Sequence, residues 1–302
     1  MLKNLILIIV LTVSMQVFAQ KEIKLYNGAI PNSRQANIVE NNHSESGKTV
    51  RISGVTVPTI TAYFPKEEDN TGKAIVIFPG GGYSMLAINH EGHDIAEKLT
   101  SVGISAFVVK YRLPSVEVME DKSIGPLQDA QRAIQYVREH AQELGILENQ
   151  IGIIGSSAGG HLASSLGVHY QDVKIPNPKN TSLRPDFMLL LYPVITMKTE
   201  ATHAGSRKKL LGEQPSDEQV HYFSNETQVD ENTPPTFLVH AKDDKTVPFV
   251  NAEMFRDSLL KHDVAVQLFT YEEGGHGFGL TNKTSSDQWF DHFIQWIKNL
   301  KN

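Results

Sequence analysis

Short apolar runs, several of them nearly continuous, recur along the chain at Ala74–Phe78, Ile104–Val109, Ile151–Ile154, Phe187–Tyr192, Thr236–His240 and Val264–Tyr271. Strands buried on both faces have this unalternated composition. Between the runs, apolar residues step by three and four. The clearest case puts Leu127, Ala130, Ile134, Val137, Ala141 and Leu144 on one helical face. Further helices are predicted over residues 90–102, 158–170, 250–261 and 286–300. Strand and helix in alternation predict an α/β fold, a mostly parallel central sheet with helices on both faces. Ahead of it, residues 49–64 alternate β-branched with other residues and break near Ser53–Gly54. They predict an N-terminal antiparallel hairpin or edge pair. Residues 195–232 show no period and are dominated by polar side chains, which predicts a long lid-like excursion. No internal repeat or low-complexity tract is present.

The first twenty residues follow a different logic. Lys3 precedes the apolar run Leu5–Val13, and Val17-Phe18-Ala19 offers small residues at the −3 and −1 positions of a cleavage site. This predicts a signal peptide over residues 1–19 and an exported protein, periplasmic or extracellular. The run is shorter than the roughly 20 apolar residues a spanning helix needs, so no stable membrane anchor is expected after cleavage. Residues 20–48 then read as an N-terminal extension and residues 49–302 as the α/β domain.

Composition narrows the chemistry. The chain has 302 residues, 40% hydrophobic and 21% charged, an ordinary globular mix. It has no cysteine, which excludes disulfides, thiolate zinc sites and a cysteine nucleophile. A net charge of −6 argues against nucleic-acid binding, because such a surface repels phosphate backbones.

Residues 151–160 read Ile-Gly-Ile-Ile-Gly-Ser-Ser-Ala-Gly-Gly. A buried strand runs into Gly155-Ser156-Ser157-Ala158-Gly159 and then into a helix, which is the context G-x-S-x-G requires. The central serine must sit on a tight turn with its Oγ exposed above the sheet, and flanking side chains would collide with neighbouring elements. This register makes Ser157 the candidate nucleophile and puts the Ala158 N–H at a helix start, facing a developing oxyanion. The spacing does not continue as a phosphate loop, because His161-Leu162 replaces Lys-Ser/Thr, and G-x-G-x-x-G does not fit either. Upstream, Pro79-Gly80-Gly81-Gly82-Tyr83 follows a predicted strand. Its bare backbone suits the other half of an oxyanion hole, with Pro79 where a histidine is usual. Downstream, Asp243 and Asp244 follow the strand ending at His240 and compete for the role of acid. His276, flanked by glycines after the last strand, is the candidate base. The order serine, aspartate, histidine is that of an α/β-hydrolase triad. His90-Glu91-Gly92-His93 lacks the H-E-x-x-H spacing of zinc sites and reads as a helix start. His161 is expected to pack or hydrogen-bond locally.

PGGGY, Glu91-Gly92, KYRLP (110–114), PLQDAQRAI (126–134), GSSAGGHLA (155–163), TPPTFLVHAKDDKTVP (233–248) and GGHGFG (274–279) together resemble the secreted α/β-hydrolases of the acetyl-xylan-esterase-like group, many labelled xylanases. The hormone-sensitive-lipase group is a more distant likeness. The resemblance spans roughly residues 50–298. It implies the α/β-hydrolase fold and, through D-x-x-V-P at Asp244–Pro248, favours Asp244 over Asp243. It also implies Gly81 and Gly82 as oxyanion donors, and small acyl groups, often acetyl, on plant polysaccharides as substrates. No metal or organic cofactor is implied. The expected chemistry is attack by Ser157, proton transfer through His276, orientation of His276 by Asp244, and hydrolysis of an acyl-enzyme. The rival expectations are a feruloyl or general short-chain carboxylesterase and, in a different class, a non-catalytic hydrolase fold used for binding.

Overall fold

The computed structural model describes residues 22–300; the leader predicted over residues 1–19 lies outside them. The strands are β1 (Glu22–Lys24), β2 (Asn41–Glu45), β3 (Lys48–Ser53), β4 (Thr59–Tyr63), β5 (Ala74–Phe78), β6 (Ser105–Lys110), β7 (Ile151–Ser156), β8 (Met188–Leu191), β9 (Thr236–Ala241) and β10 (Val266–Tyr271). The α-helices are α1 (Asp94–Thr100), α2 (Gly125–Glu139), α3 (Ala158–Val168), α4 (Ala204–Leu211), α5 (Asp217–Phe223), α6 (Val250–Lys261) and α7 (Trp289–Asn299). Eight strands form one sheet in the order β1-β4-β6-β5-β7-β8-β9-β10. β1 and β4 pair antiparallel, as do β4 and β6; every other neighbouring pair is parallel.

Connectivity then places the site. The chain leaves β5 for β6 on one side, then crosses back to β7 on the other side of β5. Right-handed crossovers in opposite directions put α1 on one face and α2, α3 and α6 on the other. α7 joins α1, with the Lys98 ammonium 5.2 Å from the centre of the Phe290 ring. The reversal leaves a crevice beyond the carboxyl ends of β5 and β7, where α/β proteins bind ligands. β5, β7, β8 and β9 are buried along their whole length, as their apolar composition demands. β10 closes the edge and is only partly covered.

Of the two readings of residues 49–64, the antiparallel edge pair is the one that forms: β4 pairs antiparallel at the edge of the large sheet, and β3 does not fold onto β4 as a hairpin. β3 turns back on β2 through Ser46-Gly47, and β4 enters the large sheet beside β1. Ser46 and Gly47 have φ values of 51° and 78°, the two-residue turn whose twist suits a hairpin. The first part of the stretch 20–48 is tied to the α/β body. β1 extends the sheet, Leu25 is buried, and the Arg112 guanidinium donates to the Pro31 carbonyl and the Ser33 hydroxyl. Arg112 is itself buried and forks onto Asp129 of α2 at 2.8–3.0 Å. That buried pair accounts for the arginine of KYRLP and the aspartate of PLQDAQRAI.

The aperiodic excursion 195–232 contains α4 and α5. Its apolar residues Ile195, Met197, Leu210, Leu211, Phe223 and Val229 are buried in the main core. It is a packed cover that also buries Thr196, Ser206, Ser224 and Asn225. No helix among the described residues is long and apolar enough to cross a membrane.

Candidate active site

Ser157 is the single residue between β7 and α3, with φ 54° and ψ −119°. Such a conformation costs a non-glycine residue about 1–3 kcal/mol, so its surroundings must impose it. They do so through close approach. A Cβ on Gly155 would come within 2.2 Å of the Gly159 carbonyl oxygen, and one on Gly159 within 2.1 Å of that of Phe78. Only glycines let α3 fold back over the ends of β5 and β7. The Ser157 N–H donates to Leu191 O at 2.9 Å, and its carbonyl accepts from His161 and Val194.

β5 lies beside β7 with Phe78 opposite Gly155, so the loop after β5 runs along the elbow. A Cβ on Gly80 would sit 2.9 Å from Ser157 Cβ. Gly81 and Gly82 follow at φ 130° and 63°, a path that L side chains rarely follow. Carbonyls of this loop are engaged: Gly80 accepts from Ala87, and Gly81 from Ser84 and Met85. Among the described residues the N–H groups of Gly81, Gly82 and Ala158 have no protein acceptor. The Ala158 N–H is also one of the free donors at the start of α3, where the helix dipole favours negative charge.

Asp244 ends the turn after β9, and His276 lies in the glycine-rich loop after β10. His276 Nε2 is 2.8 Å from Ser157 Oγ, and its Nδ1 is 2.6 Å from Asp244 Oδ2. The ionised carboxylate can only accept, so Nδ1 carries the proton and Nε2 is free to accept from Ser157. Asp244 Oδ1 accepts from the Thr246 and Val247 N–H groups at 2.8 and 3.0 Å. Burial alone would raise the Asp244 pKa. Hydrogen bonds from His240 and His276, the proximity of His276 and the Val247 N–H outweigh it and hold the carboxyl well below the usual range. Asp243 instead accepts from the Gly275 N–H at 2.8 Å, so it anchors the backbone of the histidine loop.

Sequence reasoning missed several residues that shape this site. His240 is fully buried and shares its Nε2–H between Asp244 Oδ2 at 3.1 Å and Val247 O at 3.0 Å. Glu91 is buried beneath the glycine loop, and Tyr192 lies against the His276 ring with centroids 4.9 Å apart. Glu91 stood within the family-like Glu91-Gly92 pair, and it occupies a π-turn, Asn89–His93, leading into α1. That turn agrees with a helix start. His203, at the N-cap of α4, approaches Gly82: a Cβ there would lie 3.6 Å from His203 Cε1. His203 Nδ1 accepts from the Ser206 N–H, so its proton sits on Nε2. Burial and the proximity of His276 lower its pKa, against a smaller opposing pull from Asp244.

His161 bonds to residues distant in the chain. It is fully buried, and its Nε2 donates to the Phe223 carbonyl of α5 at 2.8 Å. Its Nδ1 therefore accepts from Tyr83 Oη, also at 2.8 Å. One side chain thus ties the glycine loop to the excursion. Burial, only partly offset by the Phe223 carbonyl, brings the His161 pKa down to about 4. An unfolded histidine titrates near 6.5, so between these values the unfolded chain binds the extra proton. Stability present above about pH 6.5 is lost as pH falls towards 4, by about 3 kcal/mol in all from this group. Urea unfolding from pH 7 to 4.5 should show this slope. His161→Gln can donate to Phe223 and accept from Tyr83 without titrating, and it should flatten the slope. Parallel pH dependences in the two proteins would refute the assignment.

The fold and the Ser157, His276 and Asp244 side chains define an α/β-hydrolase of the serine-esterase class. The comparisons agree with it. The BD-FAE family model matches residues 60–259, and the chain belongs to that family. An acetyl ester-xyloside bifunctional hydrolase from Caldicellulosiruptor lactoaceticus has a similar structure, with a TM-score of 0.77 at 36% identity, covering 94% of this chain and 98% of that one. The acetylxylan esterase of Xylanibacter ruminicola is 35% identical across 84% of this chain and 49% of its own length. The endo-1,4-beta-xylanase B of Butyrivibrio fibrisolvens is 34% identical across 90% of this chain and 42% of its own length. The chain thus spans less than half the length of each of these two curated relatives.

Proposed function

We propose that the protein is an exported serine carboxylic-ester hydrolase that removes short acyl groups, principally acetyl, from xylan or its oligosaccharides. The observation that carries the reading is the continuous path from Ser157 Oγ through His276 to Asp244, beside three N–H groups without acceptors among the described residues. In this arrangement Ser157 attacks the ester carbonyl while His276 Nε2 takes its proton. The negative charge on the former carbonyl oxygen is met by N–H donors from Ala158 and the Gly81-Gly82 segment. His276 then returns the proton to the departing sugar oxygen, and Asp244 stabilises the imidazolium between the two transfers. Water, deprotonated by His276, cleaves the acyl-enzyme by the same route.

The names of the relatives support acetylated xylan as the substrate. A glycosidase reading, which the xylanase-named relative raises, needs two carboxyl groups flanking the scissile bond. Here Asp244 is spent on His276 and His240. One polar side chain near the oxyanion loop supports a sugar alcohol as the leaving group: the His203 ring approaches Gly82, with its Nδ1 taken by Ser206 and its Nε2–H left to donate. The leader read over residues 1–19 supports export, consistent with a polymeric substrate.

Each buried CH₂ of a longer acyl chain gains about 0.8 kcal/mol only where an apolar groove receives it. Among p-nitrophenyl esters, kcat/KM is therefore expected to be highest for acetate, lower for butyrate and lowest for octanoate. Acetylated xylan should release acetate. A maximum at octanoate with no acetate from xylan would replace this reading with a lipase-like one.

A further inference from the structure

Glu91 is a buried carboxylate for which packing alone gives no reason. It is 3% exposed, no lysine or arginine pairs with it among the described residues, and the half-exposed His90 imidazole lies 3.7 Å away. A charge placed there must be held by hydrogen bonds. Oε2 accepts from the Gly80 N–H at 2.8 Å, and Oε1 from Tyr192 Oη–H, also at 2.8 Å. Tyr192 Oη in turn accepts from the Gly279 N–H at 3.1 Å. The carboxylate therefore links the glycine loop after β5, the end of β8 and the loop carrying His276.

We propose that Glu91, acting through Tyr192, is a positioning residue that holds the oxyanion loop and the histidine loop in register over Ser157. Gly80 is fixed from three directions. Its N–H is taken by Glu91, its carbonyl accepts from Ala87, and the carbonyl of the preceding Pro79 accepts from Tyr111 Oη. The peptide joining Gly80 to Gly81 is trans, so the Gly81 N–H points opposite to the Gly80 carbonyl. Fixing Gly80 therefore aims the donor. At the other end, Tyr192 sits at φ 36°, a strained value for an aromatic residue, with its ring against His276 and Phe278. The strain is sustained where both loops meet.

The inference rests on the serine-esterase reading, and its test separates the two. In Glu91→Gln one of the two donors faces an amide NH₂, so the loop loses one tether while the shape is kept. Misaimed donors act on the transition state and leave ground-state binding alone. With p-nitrophenyl acetate, kcat should fall about 10²-fold, the scale of one lost oxyanion donor, while KM changes less than about threefold. The inhibition constant of a boronic acid that mimics the tetrahedral adduct should rise by the factor that kcat falls. Tyr192→Phe is the second variant, should Glu91→Gln fail to fold, and is expected to show the same split. Because both act through one bridge, the double variant should cost little more than the larger single loss. An unchanged kcat in a folded variant, a loss confined to KM, or fully additive losses would overturn the proposal. Esterase activity in the wild type that depends on Ser157 would leave the parent reading standing in each of those cases.

Discussion

Ser157→Ala is expected to reduce kcat on p-nitrophenyl acetate by about 10⁶-fold, leaving on the order of 10³–10⁴ over the uncatalysed rate. The substitution removes the attacking atom and nothing else in the chemical path. The donors on Ala158, Gly81 and Gly82 stay in place, and so does the His276–Asp244 pair, which explains the residual rate. The fold should be unaffected. Among the described residues the hydroxyl's one hydrogen bond is to His276, and alanine keeps the Cβ already accommodated at φ 54°. Thermal unfolding should therefore shift by no more than the roughly 1 kcal/mol of one hydrogen bond. A fluorophosphonate probe should add its mass to the wild type and not to the variant. Ser156→Ala is the control, since Ser156 is buried as the last residue of β7. Near-normal turnover in Ser157→Ala together with loss in Ser156→Ala would mean that the elbow is one residue out of register.

The contrast between these serines was legible in the sequence because the elbow is a local device. Strand, tight turn and helix follow one another within ten residues, and small residues mark where the backbones touch. The central strands were legible for a related reason. β5 and β7 are buried on both faces, so their composition alone betrays them. Elements whose burial comes from elsewhere left no such mark. β1 has three residues and a half-exposed edge, and it joins the sheet only because β4 offers it a partner. α4 and α5 are too short for a clear period, and Leu210, Leu211 and Phe223 are buried by the body they cover. Ser216 and Gln219 form a capping box at the start of α5, a local signal that the reading of 195–232 as an aperiodic excursion passed over. Glu91 and Tyr192 are the furthest from the sequence's reach. They meet across 101 residues, brought together by the reversal of strand order at β5.

The two aspartates show the same limit at a single step, and they separate sharply under substitution. Asp244→Asn is expected to lower kcat by about 10⁴-fold, the cost of the wrong histidine tautomer. The geometry says why. Oδ1 accepts two backbone N–H groups, from Thr246 and Val247, so the asparagine oxygen stays on that side. The amide NH₂ then occupies the place of Oδ2, facing the His276 Nδ1–H and the His240 Nε2–H, two donors against a third. His276 relieves the conflict by moving its proton to Nε2, where it can no longer take one from Ser157. Asp243→Asn has no such conflict. The asparagine oxygen can still accept from the Gly275 N–H, the residue is exposed, and its loss should stay below about tenfold, within the scale of one ordinary hydrogen bond. Both variants should fold, which circular dichroism checks before kcat is compared on p-nitrophenyl acetate. Fluorophosphonate labelling should slow in step with kcat for Asp244→Asn, because that reaction needs the same base. Equal and mild losses at the two positions would place the acid elsewhere and sever His276 from the carboxylate 2.6 Å away.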